Sequence, residues 1–235
     1  ELRQAIPQED IKPHFQPIIS LGNDRIIGFE ALARWDHAER GLLAPDMFIP
    51  LAEETGLIVQ IGEWVVHEAC RVASNWPGDL SVAVNISPKQ FLAPGLSATI
   101  LQALTNSGLP PSRLELEITE SIFIADVDAT LSTLHMLREL GVRIALDDFG
   151  TGYSSLSYLR SFPFDKVKID QSFVRDLNEK GNNAHAVIRA ITTLADALGM
   201  DTLAEGVESS EQFDIVRAEG CCYVEGYLVG RPLPM

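Results

Sequence analysis

Residues 113–147 read RLELEITESIFIADVDATLSTLHMLRELGVRIALD, and this stretch decides the fold. Its two ends, RLELEI (113–118) and VRIALD (142–147), are short runs in which apolar and polar residues alternate, as they do in strands. Residues 126–140, between them, are predicted to form a helix that ends at Gly141. A strand, a helix and a second strand in this order indicate two parallel strands joined by a helical crossover.

The same alternation of strands and helices continues through most of the chain. The other predicted strands are 14–20, 25–34, 80–86, 165–169, 201–205 and 222–225. The other predicted helices are 46–55, 57–75, 95–107, 183–199 and 209–219, with a short helix after the Gly- and Ser-rich loop 149–155.

The chain begins differently, with a hairpin. Strands 14–20 and 25–34 are separated only by Leu21-Gly22-Asn23-Asp24, which is a turn signal. About eight strands in 235 residues fit an α/β fold, a modified TIM-type (β/α)8 barrel with an antiparallel first strand. An open, doubly wound sheet is the alternative.

Composition and charge restrict the function. Because 46% of the residues are hydrophobic and no linker or low-complexity tract interrupts the chain, we expect one folded domain over 1–235. The net charge of −15 argues against binding to nucleic-acid polymers, whose phosphates it repels. No run approaches the roughly 20 apolar residues of a membrane span. We also expect the chain to be part of a longer protein, since it begins at Glu1 without a methionine.

The three cysteines indicate a cytoplasmic location. Cys221 and Cys222 are adjacent, and an odd number of cysteines with this spacing does not form a disulfide framework. Proteins without such a framework are typical of a reducing compartment, so we expect the chain to be cytoplasmic.

Polar residues recur on one face of successive predicted strands. In 113–118 the leucines alternate with Glu115 and Glu117, and three further strands repeat this pattern. The corresponding residues of those strands are Ser81, Ala83, Asn85, Arg143, Ala145, Asp147, Lys166, Lys168 and Asp170, and Glu30, Asp148 and Glu205 join them at other strands or strand ends. In a barrel this face is the interior, and active sites form at its C-terminal mouth.

These side chains predict a metal site. A lone glutamate at a strand end is more often an ordinary surface residue, but several carboxylates at one mouth would repel one another without cations. Carboxylate oxygens with one amide, that of Asn85, suit Mg²⁺ or Mn²⁺. The pattern therefore indicates a divalent-metal barrel enzyme and leaves the substrate open, so a lyase or aldolase is among the candidates.

Longer motifs narrow the choice of substrate and reaction. They are FQPIIS (15–20), GFEALARW (28–35), PDMFIPLAEETGLI (45–58), VNIS (84–87), ELEITES (115–121), DDFGTGYSSLSYL (147–159), VKIDQSFV (167–174), LAEGVES (203–209) and EGYLVGRP (225–232). Together and in this order they resemble the EAL domain of bacterial cyclic di-GMP phosphodiesterases. The resemblance implies metal-dependent hydrolysis of cyclic di-GMP to linear 5′-pGpG with two Mg²⁺ or Mn²⁺ ions, and inhibition by Ca²⁺.

The resemblance also implies roles for individual residues. Glu30, Asn85, Glu117 and Asp147 match the ligands of a first metal, and Asp147 with Asp148 those of a second. Glu205 matches the essential glutamate, either general base or ligand of a metal-bound water, and Lys168 matches the lysine that orients the nucleophilic water. Arg34 fits a phosphate clamp, Gln16, Pro45 and Asp170 are candidate nucleotide contacts, and Glu208 is a candidate support of the metal site.

Two further expectations concern assembly and regulation. Glu120 matches the glutamate that holds the loop 149–155, although it is equally an ordinary helix N-terminal acid capped by Thr119 or Ser121. In the family this loop lies near a dimer interface, so a homodimer is expected. Related proteins often carry a GGDEF or sensor domain upstream, and we expect one here.

Glu225 departs from the family pattern, which has glutamine at this position in contact with metal-bound waters. Six carboxylates around Lys168 and two divalent ions leave one net negative charge, where glutamine would leave none. We therefore predict altered metal affinity and slower turnover, not an inert site.

Cys222 replaces the usual aspartate of the family pattern, and we expect its side chain to have a packing role. The alternative function is a degenerate domain that binds cyclic di-GMP without hydrolysing it, but such domains lose metal ligands, base or lysine, and this chain keeps them.

Overall fold

The computed structural model describes residues 1–123, 127–150, 162, 164–178 and 183–235. The strands of this part are β1 Ile11–Ser20, β2 Arg25–His37, β3 Gly41–Leu43, β4 Ser81–Asn85, β5 Leu114–Thr119, β6 Arg143–Phe149, β7 Lys166–Ile169, β8 Asp201–Ala204 and β9 Tyr223–Val224. The α-helices are α1 Leu2–Ala5, α2 Ile49–Thr55, α3 Ile58–Ala73, α4 Pro88–Leu92, α5 Leu96–Ser107, α6 Val127–Glu139, α7 Gln171–Arg175, α8 Ala184–Leu198 and α9 Ser210–Ala218. Short 3-10 helices occupy Pro45–Met47, Pro111–Arg113, Glu120–Phe123 and Asp176–Asn178.

The strands close into a barrel. Their order is β1-β9-β8-β7-β6-β5-β4-β2, and β1 also pairs with β2, while the short strand β3 is added to the end of β2. β1 is antiparallel to both of its neighbours, and every pair from β2–β4 round to β8–β9 is parallel. The predicted modified (β/α)8 barrel with an antiparallel first strand is confirmed, and the open sheet is excluded.

The outward faces of the strands form the core with the helices. Leu114, Leu116 and Ile118 of β5 are almost completely buried, and the same cluster includes Ile61 of α3 and Ile188 of α8. Burial of apolar surface at roughly 25 cal/mol per Å² makes this layer the main source of stability. It therefore fixes which side chains of each strand point into the barrel.

The barrel interior is layered. Ile18, Ala83 and Leu203 form a small apolar layer in the middle. Below it, near the N-terminal ends of the parallel strands, Lys166 Nζ lies 2.6 Å from Glu115 Oε1, and both side chains are buried. Above it lie the polar residues at the C-terminal mouth. The apolar layer thus separates two polar groups that share one face of the strands.

Local sequence signals set the ends of several helices. Ser209 and Gln212 form a capping box at the start of α9, and Asp170 accepts a hydrogen bond from Ser172 N at the start of α7. Gly199, with φ of 72°, ends α8 in the left-handed conformation. No helix among the described residues is both long and apolar enough to cross a membrane.

Candidate active site

The mouth of the barrel collects polar residues from seven strands. They are Glu30 in β2, Asn85 in β4, Glu117 in β5, Asp147 in β6, Lys168 in β7, Glu205 directly after β8 and Glu225 directly after β9. All seven line one cavity of about 680 Å³. The parallel strands all end at this mouth, which is why residues far apart in the chain meet here.

Lys168 lies at the centre of this group. Its Nζ is 2.7 Å from Glu205 Oε1 and 2.8 Å from Glu117 Oε2. Three more carboxylates follow, with Glu225 Oε1 at 3.4 Å, Glu30 Oε1 at 3.5 Å and Asp147 Oδ1 at 3.6 Å. The lysine is 1% exposed, and despite this burial the surrounding carboxylates raise its pKa well above the ordinary value. Lys168 is therefore a fixed cation and not a base.

The carboxylates are crowded in turn. Burial raises the pKa of Glu117 and Glu205 well above the ordinary value, and the neighbouring carboxylates add to this while Lys168 opposes it. For Glu225, burial and the charge of Glu30 raise the pKa to about 8. One lysine does not neutralise this many acids, so without cations some of them are held in the protonated form.

Asn85 and Lys168 favour the ionised form of Glu30. Burial raises the pKa of Glu30, but Lys168 and hydrogen bonds outweigh it, and the net pKa is lowered. One of these hydrogen bonds comes from Asn85, whose Nδ2 donates to Glu30 Oε1 at 2.6 Å. Glu30 is thus held as a carboxylate in a fixed orientation.

Asp147 and Asp148 form the second part of the site. Asp147 Oδ1 accepts a hydrogen bond from Asp148 N at 2.9 Å, and Asp148 has a left-handed backbone with φ of 54°. This conformation is uncommon for residues other than glycine and turns two successive carboxylates toward the same mouth. Burial and the charge of Asp147 raise the pKa of Asp148 to about 6.

These residues fit divalent cations. Oxygen atoms of Asp147, Asp148 and Glu205 all lie within 4.8 Å of one another. Glu117 Oε1 and Glu225 Oε2 are buried, and the described residues offer neither of them a hydrogen-bond donor. Buried carboxylate oxygens without donors, in a set of oxygen ligands, match the preference of Mg²⁺ and Mn²⁺. Glu30, Glu117, Asp147 and Asp148 are acidic residues that could hold such cations, with Asn85 beside Glu30 and Glu205 next to the two aspartates.

Of the predicted substrate contacts, two line the cavity and two do not. Gln16 and Pro45 line the cavity, and Gln16 Nε2 donates to Gly230 O at 3.1 Å. Arg34 lies on β2 beyond Glu30, partly buried, with Nη1 donating to Ala33 O. Asp170 caps α7, where its Oδ1 accepts from the backbone and hydroxyl of Ser172, and it is not among the residues that line the cavity. A nucleotide contact by Asp170 stays a prediction.

Two further predicted residues lie at the edge. Glu208 is exposed and lines the outer cavity. Glu120 begins the 3-10 helix after β5, and the loop that it was predicted to hold begins at Phe149 and Gly150, while its residues 151–155 and the short helix after them lie outside the described residues. The prediction for Glu120 therefore stays open.

Sequence reasoning missed an aromatic residue at this mouth. Tyr227 lines the cavity, is 51% exposed, and has the guanidinium carbon of Arg231 at 4.2 Å from its ring centroid. A tyrosine two residues after Glu225 was the only signal in the sequence, and alone it does not distinguish a surface residue from a ligand contact.

Comparison with known proteins agrees with this geometry. The EAL domain family matches residues 1–232. The chain is 45% identical over 238 residues to the bifunctional diguanylate cyclase/cyclic di-GMP phosphodiesterase MucR of Pseudomonas aeruginosa, and 42% identical over 239 residues to the cyclic di-GMP phosphodiesterase NbdA of the same organism. Each match covers 100% of this chain but only 35% of MucR and 30% of NbdA.

A solved structure has the same fold. The PaMucR phosphodiesterase in complex with c-di-GMP superimposes with a TM-score of 0.95 at 45% identity, covering 99% of this chain and 96% of that one. Strand order, the acidic mouth and the match over nearly the whole sequence lead to one conclusion: the chain belongs to the EAL domain family.

Proposed function

We propose that this chain hydrolyses cyclic di-GMP to linear 5′-pGpG with two Mg²⁺ or Mn²⁺ ions. The observation that carries the proposal is the cluster of carboxylates around Lys168 Nζ. With Asn85 and Asp148, it holds the acids, the amide and the lysine that the resemblance assigns to the metal site, and Glu225 is its departure from the family pattern. Two relatives are named cyclic di-GMP phosphodiesterases, and a solved relative holds c-di-GMP.

The residues divide the work between positioning and proton transfer. Glu30, Asn85, Glu117, Asp147 and Asp148 would hold the cations, which would lower the pKa of a water and stabilise charge on the phosphoryl oxygens. Glu205 lies at the open end of the cluster and takes the proton of the attacking water as its oxygen bonds to phosphorus. The bond from phosphorus to the 3′ oxygen breaks, that oxygen takes a proton from solvent water, and Glu205 then returns its own proton to solvent. One product end is therefore a 5′-phosphate and the other a 3′-hydroxyl.

Lys168 orients the reactants and remains charged. Its ammonium contacts Glu205 and Glu117 from below, so it holds the base in place and offsets part of the negative charge that would repel a phosphodiester. The anionic substrate and the acidic mouth are compatible only when cations complete the site.

Incubation with cyclic di-GMP separates the enzyme from a receptor. We expect pGpG to appear by chromatography with Mg²⁺ or Mn²⁺, and Ca²⁺ to suppress it while still allowing binding. Glu205→Ala should abolish turnover and retain binding measured by calorimetry in Ca²⁺. Glu63→Gln is the matched control, because it removes an exposed carboxylate on α3 that does not line the cavity. Binding by the wild type without product would refute hydrolysis and support the receptor alternative.

The wider setting belongs to the same proposal. The chain spans about a third of the curated relatives named above, and MucR combines two activities, so we propose an EAL phosphodiesterase domain of a longer cytoplasmic protein with a regulatory domain such as GGDEF or a sensor upstream. We also propose that it acts as a homodimer. Sedimentation velocity of this chain tests the dimer, and a purely monomeric species at tens of micromolar would contradict it.

A further inference from the structure

We propose that the recess between α2, α3 and α4, around Ile61 and Gln90, binds a small uncharged carboxamide. The cavity at the barrel mouth continues into this recess beyond Ile86, which directly follows Asn85 at the end of β4. The carboxylates around Lys168 lie on strands or directly after them, and not on these three helices. The inference therefore concerns a second ligand and does not depend on the hydrolysis of cyclic di-GMP.

One side of α3 forms the inner wall of the recess. Four residues of this helix, spaced three and four apart, line the cavity and so share one side of the helix. They are Ile58, Ile61, Gly62 and Val65, and all four are buried. The other walls are Ile49, Pro50 and Glu53 of α2, and Pro88 and Gln90 of α4. Because buried residues line it, the recess reaches below the molecular surface.

The outer walls are tied to each other. Lys89 Nζ donates a hydrogen bond to Glu53 O at 2.7 Å, which joins α4 to α2. At the start of α4, Ser87 Oγ accepts a hydrogen bond from Gln90 N at 3.2 Å and caps the helix. The backbone of α4, and with it the position of Gln90, is therefore fixed before a ligand binds.

The side-chain amide of Gln90 points to a ligand. Gln90 is 4% exposed and lines the cavity, and its amide makes no hydrogen bond within the described part of the chain. A Cβ on Gly62 would lie 2.0 Å from Gln90 Oε1, so glycine in the middle of α3 leaves room for this amide. A buried polar group without a partner destabilises a fold, and nearly all such groups are hydrogen-bonded. Packing alone does not explain an amide here, because leucine or methionine fills the same space without an unpaired donor.

The chemistry of the walls selects the class of ligand. A glutamine amide presents a donor and an acceptor side by side, and a second carboxamide pairs with both through two N–H···O hydrogen bonds. The aliphatic walls cover an apolar body of short aliphatic or aromatic kind. The Glu53 carboxylate and the acidic mouth disfavour an anion, and any charged group would lose its hydration against the apolar walls.

Benzamide is the probe for this site, and NMR spectroscopy of methyl-labelled protein in EDTA measures its binding. We expect benzamide to shift the methyl resonances of Ile58, Ile61 and Val65 with a Kd on the order of 1 mM, since the ligand is small. N,N-dimethylbenzamide, which has no N–H, and benzoate, which is an anion, should each bind at least about fivefold more weakly.

Substitution of Gln90 separates a ligand site from an ordinary wall. Gln90→Leu should raise the Kd for benzamide about tenfold, because it removes both hydrogen bonds and keeps the wall. Its Tm should equal or exceed that of the wild type, since the replaced amide has no partner, and this shows that the variant is folded. Gln60→Leu makes the same replacement at an exposed position of α3 outside the cavity and should bind benzamide like the wild type. Equal Kd values for the wild type and Gln90→Leu, or no shift of the recess methyl groups well above the expected Kd, would overturn the proposal.

Discussion

Replacing Glu225 by glutamine should stabilise the metal-free protein at alkaline pH. Glu225 is 4% exposed, its Oε1 lies 3.4 Å from Lys168 Nζ, and the described residues offer no donor to its Oε2. Burial and the charge of Glu30 raise its pKa to about 8. The protonated carboxyl of Glu225 therefore destabilises the fold little, whereas its ionised form lowers the free energy of unfolding. Glutamine has the same shape and cannot ionise.

The magnitude follows from the pKa of Glu225 in the two states. Unfolding exposes Glu225 and returns its pKa to the ordinary value of 4.5. Between these two pKa values the folded protein holds a proton that the unfolded chain has released, so the free energy of unfolding falls as pH rises. The slope is about 1.4 kcal/mol per pH unit, which amounts to about 2 kcal/mol between pH 6 and pH 8. For a domain of this size that is roughly 4–8 °C in Tm.

Thermal unfolding followed by circular dichroism in EDTA at pH 6, 7 and 8 measures the effect. The Tm of the wild type should fall relative to that of Glu225→Gln as pH rises, so that the advantage of the variant is roughly 4–8 °C larger at pH 8 than at pH 6. Glu208→Gln removes a carboxylate from the exposed rim of the same mouth and should follow the wild type. If the Tm of Glu225→Gln changes with pH in parallel with the wild type, the buried charge does not have the assigned cost and the reasoning is wrong.

Other side chains give further predictions. Lys168→Met removes the cation that contacts five carboxylates, four of them buried. We therefore expect the free energy of urea unfolding without metal to fall by about 3–5 kcal/mol at pH 8, and by less at pH 6, where more acids are protonated. A loss below about 1 kcal/mol at pH 8 would contradict this. Burial raises the pKa of Cys70 and Cys221 to about 12, so iodoacetamide at pH 8 should label the less buried Cys222 first in peptide mapping, and equal labelling of all three in the native protein would speak against this.

The barrel could be predicted because its strands carry a strong local signal. Short strand-like runs and turn signals predicted all eight barrel strands to within a few residues, with the hairpin at 21–24, and alternation of apolar and polar residues supported four of them. Strand β3 was missed because three residues carry no pattern, and its pairing with the end of β2 is a tertiary effect. Helix α4 was missed although Ser87 before Pro88 is a capping signal, which shows that short helices need their caps read first.

The sequence predicted which residues point into the barrel, but not how far along the barrel axis each of them lies. Alternation placed Glu115 and Glu117 on one face, and likewise Lys166 and Lys168, without saying that one pair lies below the apolar layer and the other at the mouth. Two residues of strand length separate the two pairs, so only the stagger of the barrel decides which pair reaches the mouth. Tyr227 could not be assigned, because its direction depends on contacts between two loops.

Divalent cations should reverse the destabilisation that ionised Glu225 causes in the metal-free protein. A cation beside this carboxylate replaces the proton that favours folding at low pH, so added Mg²⁺ should stabilise the wild type more at pH 8 than at pH 6. Binding at a hundredfold excess over Kd contributes about 2.7 kcal/mol, or roughly 5–11 °C in Tm, and Glu225→Gln should gain less because its site has one charge fewer. The acidic mouth that destabilises the metal-free fold is then what binds the cations. Equal gains in Tm for both proteins at pH 8 would mean that the metal does not sense the charge of Glu225.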